Sequence, residues 1–414
     1  MQDNQTNQNA NSSYKWVMLV VALAIQMNGA FAIQAIGPCG SFIREDLSMS
    51  YTQFGLIFTA INFGTMLLMT WAGALADRGN IRKIFLVGGC GVGVAMIVCA
   101  LVANAPWQLL LFLFIAGLFN SVGSPCSSKP IAAWFSGKGK ATAMGFKQCA
   151  IPLAGLICGA VFPSVASVLG WHKMFMLDGV WCCLLSIVCY FLYKNPDGTR
   201  GDSVPGGKGG ANVRLKDILT RDQILLGVGC LFLNGVQYAF SNYLVSYMSE
   251  VFTAMAIASA AVLAGTYYSM TNLGGIIGRL GVGAISDRLL GGRRKGILIA
   301  VNVVAVLIVV VFAFAGNALP AAVIGVLAVL FGLTGVSFTG LQVSFAIELA
   351  GDWKVAGTAS GFTMTMCFAG MMLSPPIFGA VLDRGGWTMA WISLAVMGVI
   401  GVLLLLPVRE RKGK

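Results

Sequence analysis

The sequence predicts an all-α integral membrane protein: twelve transmembrane helices in two pseudo-symmetric six-helix bundles. Of the 414 residues 57% are hydrophobic and only 10% charged, a balance too apolar for a chain of this size to have water as its solvent. Apolar runs of roughly 18 to 25 residues recur almost end to end, each long enough as a helix to cross a hydrocarbon layer of about 30 Å. One half of the chain is also echoed in the other. Asn62, Gly64, Gly73, Asp77 and Arg78 return 210 positions later as Asn272, Gly274, Gly283, Asp287 and Arg288. Thr142, Ala143, Gly145, Phe146, Gly170 and Trp171 return 216 positions later as Thr358, Ala359, Gly361, Phe362, Gly386 and Trp387.

Residues 1–15 are polar and read as a tail, with Lys15 and Trp16 at the edge of the first apolar run. No small-residue cleavage site follows, so that run is read as a helix and not as a signal peptide. The first bundle, 16–193, contains spans near 16–38, 51–76, 84–103, 107–135, 141–166 and 171–193, punctuated by turn signals such as Asn104-Ala105-Pro106. Residues 194–223 lack any apolar period and include Gly206-Gly207-Lys208-Gly209-Gly210, the composition of a linker. The second bundle, 224–408, contains spans near 224–248, 259–285, 296–315, 321–349, 357–381 and 388–408, and a tail of 409–414 follows.

The net charge of +12 is distributed by topology. Alternating the loops between two faces puts Lys15, Arg78, Arg82, Lys83, the linker cations, Arg288, Arg293 to Lys295 and the C-terminal tail on one side. The other side keeps only Arg44, Lys173 and Arg384. The rich face is cytoplasmic by the positive-inside rule, which places both termini inside a cell (inner) membrane and makes lipid the partner of the charge, with no nucleic acid. The eleven cysteines lie mostly within apolar runs and read as small packing residues. No Cys-x-x-Cys pair is present and His172 is the lone histidine, so neither a metal nor a cofactor is expected.

Gly73-Ala74-Leu75-Ala76-Asp77-Arg78, followed by Arg82 and Lys83, resembles the loop between helices two and three of the major facilitator superfamily. Gly283-Ala284-Ile285-Ser286-Asp287-Arg288, followed by Gly292-Arg293-Arg294-Lys295, is its second copy. The first copy departs from the usual pattern at Asn80 and Ile81, and the second carries one extra residue. The resemblance covers nearly the whole chain and implies a conformational latch made by Gly73, Asp77, Arg78, Gly283, Asp287 and Arg288. Physically, glycine permits close helix approach and the charges can pair or favour a helix end. The same basic residues would also satisfy topology alone. A narrower likeness lies in Met144 to Gly155, which looks like the fifth helix of bacterial facilitators with a Gly-x-Lys-Gln segment, here Gly145-Phe146-Lys147-Gln148. Drug antiporters place a glycine where Ile151 stands, which lowers the efflux reading.

Charges within a bilayer are costly and mark pathways. Lys129, Lys147 and Arg279 each sit about six residues, or roughly 9 Å, from a cytoplasmic boundary. The family fold would bring helices five and eight together, putting Lys147 and Arg279 around one positive cavity. The arginine offers a planar fork for a carboxylate and the lysine a compact charge. Snorkelling toward headgroups is the alternative for both cations, and the preferred reading for Lys129. Asp178 is assigned a structural role. The cavity wall would further draw on Gln34 and Asn28 of helix one, Asn234, Gln237 and Tyr238 of helix seven, and Gln148. The four-residue spacings of Gly155 with Gly159 and Gly274 with Gly278 read as packing devices.

No nucleophile elbow, zinc-binding HExxH or phosphate-cradling loop occurs, so an enzyme is not expected. Two homologous halves around a midplane site point to alternating access. The resulting expectation is a secondary active transporter of a small organic anion, a monocarboxylate being one candidate, with proton symport, exchange against a counter-anion and uniport all open as its mode. A multidrug or neutral-solute exporter and a non-transporting membrane sensor on the same fold remain the alternatives.

Overall fold

The computed structural model describes residues 2–135, 137–195, 220–289, 294–350 and 356–410, and these are helical almost throughout. The expected linker falls mostly outside the described residues. The first half comprises α1 (Gln2–Gln34), the short α2 (Gly40–Asp46), α3 (Tyr51–Arg78), α4 (Ile81–Val102), α5 (Pro106–Asn120), α6 (Gly123–Trp134), α7 (Gly137–Gln148), α8 (Ala150–Leu169) and α9 (Trp171–Leu192). The second comprises α10 (Arg221–Ala254), α11 (Ala260–Leu289), α12 (Lys295–Ala315), α13 (Ala321–Gly335), α14 (Thr339–Ala350) and α15 (Ala356–Leu405).

Local chemistry sets the boundaries. Ser50 and Gln53 form a reciprocal capping box at the start of α3, and Asn80 and Thr220 cap α4 and α10. Gly170, at φ 81°, turns α8 into α9, while Gly386, at φ 69°, divides α15 into two helical stretches. These two glycines are 216 positions apart and occupy the left-handed region that a side chain disfavours.

Ten stretches among the described residues are long and apolar enough to cross a membrane. The 30-residue α11 is not among them, because Thr266, Tyr267, Tyr268, Ser269, Thr271, Asn272 and Arg279 dilute its apolar character. The spans expected at 107–135, 141–166 and 321–349 are interrupted. Ser121 separates α5 from α6, and its hydroxyl donates back to Leu118 O at 2.7 Å. Ser337 separates α13 from α14 and donates to Thr334 O at 2.9 Å, so the break itself obeys the internal repeat. The third interruption, at Cys149, leaves α7 and α8.

The halves pack alike internally. A Cβ at Gly117 would overlap the Ile61 carbonyl where α5 crosses α3, and one at Gly332 would overlap the Thr271 carbonyl where α13 crosses α11. Between the halves, α8 meets α11 with Gly159 against the Gly265 carbonyl, and Ser269 Oγ donates to Leu156 O at 2.7 Å. The α3–α15 contact is organised by proline. Pro376 removes the amide that would satisfy Met372 O, and Thr59 Oγ1 of the opposite half supplies a donor at 2.7 Å.

One end of the molecule is tied across the two halves. Asp383 of α15 accepts Tyr51 N and Thr52 N, each at 2.8 Å, and Thr52 Oγ1 at 2.6 Å, so its carboxylate caps the first turn of α3. Glu250 of α10 accepts the Tyr51 hydroxyl and, at 2.7 Å, Trp387 Nε1, with Arg44 3.7 Å away. The Arg44 guanidinium stacks 3.2 Å over the Tyr51 ring.

Candidate functional site

Between the halves lies a cavity of about 190 Å³, walled by α1, α3, α8, α10, α11, α14, α15 and the α5–α6 break. Amide side chains crowd its wall, and burying them in a membrane protein requires partners. Asn62 Nδ2 donates to Phe58 O at 2.7 Å and to the Tyr238 hydroxyl at 2.9 Å. Its repeat mate Asn272 makes the corresponding bond four residues back, to Tyr268 O at 3.0 Å. Asn234 Nδ2 donates to Cys230 O at 2.8 Å and to Gln342 Oε1 at 2.9 Å. Gln26 Oε1 accepts the Ser127 hydroxyl at 2.9 Å.

Arg279 is the only charged residue of this wall among the described residues. Pro152 lacks the amide that would bond to Gln148 O four residues earlier, and Arg279 Nη1 donates to that orphaned carbonyl. Its Nε donates to Val336 O, at the α13–α14 break, at 3.2 Å. The guanidinium therefore reaches from α11 to a helix interruption in each half. Two of its five N–H donors are engaged this way. A cation in a wall with no carboxylate to neutralise it makes the cavity electropositive.

Of the residues expected from sequence, Gln34, Gln148, Asn234, Gln237, Tyr238 and Arg279 line this one cavity, together with Ser241 and Asn242. Lys147 does not. It is buried, and its Nζ donates to Ser128 Oγ at 2.7 Å and approaches Ser124 O at 3.5 Å, so it ties α7 to α6 behind the wall instead of facing Arg279 across it. Asn28 is also displaced from the expected role. Its Nδ2 donates to Cys182 O at 2.7 Å and Ser186 Oγ at 2.9 Å, cementing α1 to α9. Lys129 has a partner and lies outside the wall. Asp178, 2% exposed, has no hydrogen-bond partner among the described residues and sits near Cys39, Cys158 and Cys182.

At the expected latch, a Cβ on Gly73 or Gly283 would meet nothing within 4 Å, so neither glycine serves a close helix approach here. The side chains of Asp77, Arg78, Asp287 and Arg288 lie outside the described residues. Sequence reasoning missed Asn62, Asn120, Asn272 and Gln342 as wall residues. The signal for the first and third was available, since each is a mid-span amide at the head of the repeat. No cluster of three or more His, Cys, Asp or Glu side chains able to hold a metal occurs among the described residues.

Two pseudo-symmetric helical halves around a central cavity lined by amides and one arginine give the architecture of a multi-pass membrane protein. The chain belongs to the Major Facilitator Superfamily, whose family model matches residues 19–375. It is 26% identical over 395 residues to the membrane sensor protein UhpC of Salmonella typhimurium, covering 89% of this chain and 84% of that protein. It is 24% identical over 412 residues to the glycerol-3-phosphate transporter of Bacillus subtilis, covering 92% and 87%. The structure of a bacterial homologue of the human lysosomal transporter Spinster, inward-facing and occupied, superposes with a TM-score of 0.77 at 15% identity over 95% of this chain and 97% of that one. The family is one of membrane transporters, not of enzymes.

Proposed function

We propose that the chain is a secondary active transporter that moves a small organic anion across the inner membrane by alternating access, with Arg279 as the principal anion-binding group. The observation that carries this is a guanidinium in the wall of a cavity between the halves, with no carboxylate among the other described wall residues. Gln34, Gln148, Asn234, Gln237 and Tyr238 supply neutral hydrogen-bonding surface around it. Lys147 adds positive potential from behind the wall. Similarity to a protein named glycerol-3-phosphate transporter supports an anionic solute.

The spans number twelve in this reading. The ten apolar stretches are joined by α11, which turns Asn272 and Arg279 to the cavity, and α15 counts twice because Gly386 divides it. With both termini cytoplasmic, the tied end formed by Asp383, Glu250, Arg44 and Tyr51 is the outer one, and the cavity is accessible from inside. Gly73, Asp77, Arg78, Gly283, Asp287 and Arg288 are the proposed latch for the opposite, cytoplasmic closure. Coupling is to a proton or a counter-anion.

The similarity to a membrane sensor favours one second reading, a receptor that binds the same anion without flux. Proteoliposome uptake of radiolabelled monocarboxylates, dicarboxylates and neutral solutes, with and without an imposed proton gradient, tests both. Saturable anion uptake supports the carrier and shows its coupling. Saturable anion binding with no uptake of any solute supports the sensor, and uptake confined to neutral solutes refutes the anion reading.

A further inference from the structure

We infer that the anion taken by this cavity carries hydroxyl groups, and that Gln237 and Asn242 read them. The inference rests on the anion-carrier reading and specifies the rest of the ligand. Most amides of the wall already have partners within the protein. Two fully buried amide atoms of the wall do not: Gln237 Oε1 is without a donor, and Asn242 Nδ2 without an acceptor. Both residues belong to α10 and line the same cavity as Arg279, and Asn242 is 1% exposed. The Tyr238 hydroxyl lies near Asn242, but without the geometry of a hydrogen bond to Nδ2.

An unpaired acceptor and an unpaired donor in one wall call for a ligand that both donates and accepts. A hydroxyl does both; a methylene does neither. Arg279 meets the charge, since a carboxylate accepts from its remaining N–H donors. A bare aliphatic acid would satisfy the arginine yet leave Gln237 Oε1 and Asn242 Nδ2 buried and unmatched. A site built to hydrogen-bond a hydroxyl rejects an analogue that lacks it far more strongly than a hydrophobic pocket rejects a missing methylene. The wall thus selects a hydroxylated carboxylate over an aliphatic one of equal charge and length.

Three six-carbon probes separate charge from hydroxyls: gluconate has both, hexanoate only the charge, and glucitol only the hydroxyls. Affinities for the detergent-purified full chain are measured by calorimetry for wild type, Gln237→Met, Asn242→Leu and Arg279→Gln. Gluconate is expected to bind at least about tenfold more tightly than either other probe. Gln237→Met and Asn242→Leu should each bring gluconate toward hexanoate while leaving hexanoate itself little changed, and Arg279→Gln should bring it toward glucitol. Equal binding of gluconate and hexanoate by the wild type overturns the inference and assigns the two amide atoms to ordered water. Glucitol binding as tightly as gluconate refutes the anion reading while sparing the hydroxyl reading. No binding of any of the three overturns both.

Discussion

Arg279 illustrates how one residue acquires its position from several local facts. Pro152 frees the Gln148 carbonyl, the Ser337 break exposes the Val336 carbonyl, and a guanidinium of fixed fork geometry reaches both. Arg279→Lys keeps the charge but cannot serve two carbonyls and a ligand with the same planar geometry. It should weaken anion binding by about tenfold or more, the equivalent of losing one charge-assisted hydrogen bond of roughly 1.5–3 kcal/mol. Titration calorimetry of the variant checks this. Lys147→Gln should reduce anion uptake by a smaller factor than Arg279→Gln, because its ammonium is already committed to Ser128 and Ser124. Initial uptake rates of the two variants measured side by side decide the order. The place of Arg279 inside the molecule was legible in the sequence as a cation deep in an apolar span. The parting of Lys147 from it was not, since depth along a helix says nothing about which way a side chain turns around it.

At the scale of elements, the spans and the repeat were legible because hydrophobic length and glycine placement are local properties. The breaks at Ser121 and Ser337 fall in Asn120-Ser121-Val122-Gly123-Ser124-Pro125 and Thr334-Gly335-Val336-Ser337-Phe338-Thr339-Gly340, whose turn-forming residues do mark them, but the overall apolar length of 107–135 and 321–349 masks that local signal. Their equivalence across the repeat suggests one inherited device, in which a short interruption opens carbonyls toward the cavity. The crossings of α3 with α5 and α11 with α13 depend on glycine in the same way. Gly117→Ala and Gly332→Ala each drive a methyl group into a backbone carbonyl, and should destabilise the protein by about 1–3 kcal/mol. Gly145→Ala, where a Cβ meets nothing within 4 Å, should leave stability unchanged or raise it by about 1 kcal/mol through helix propensity. Thermal denaturation of the three variants in one detergent distinguishes the outcomes.

At the scale of the whole molecule, the tied end holds one conformation. Asp383 is a helix cap supplied from the opposite half, so opening that end must strip α3 of the carboxylate on its first turn. Asp383→Asn keeps the shape and removes the charge. With a cost of about 1–2 kcal/mol, it should move the equilibrium toward the state open at that end by roughly tenfold. Distances between spin labels on the α2–α3 connection and on α15 near Gly386 would show the population, and an unchanged distribution would deny Asp383 this role. None of this network was legible in the sequence, because its partners are more than 300 positions apart for Asp383 and 137 to about 200 apart for Glu250. The two halves and a cation between them were legible, from the repeat and from the scarcity of charge within the spans.

The most direct measurement is uptake of a labelled organic anion into proteoliposomes containing wild type or Arg279→Gln, with a labelled neutral solute of similar size as control. Saturable anion uptake by the wild type, reduced about a hundredfold or more in the variant as expected for a buried charged partner worth roughly 3 kcal/mol, is the expected result. Equal anion uptake by the two proteins would contradict a transport site centred on Arg279.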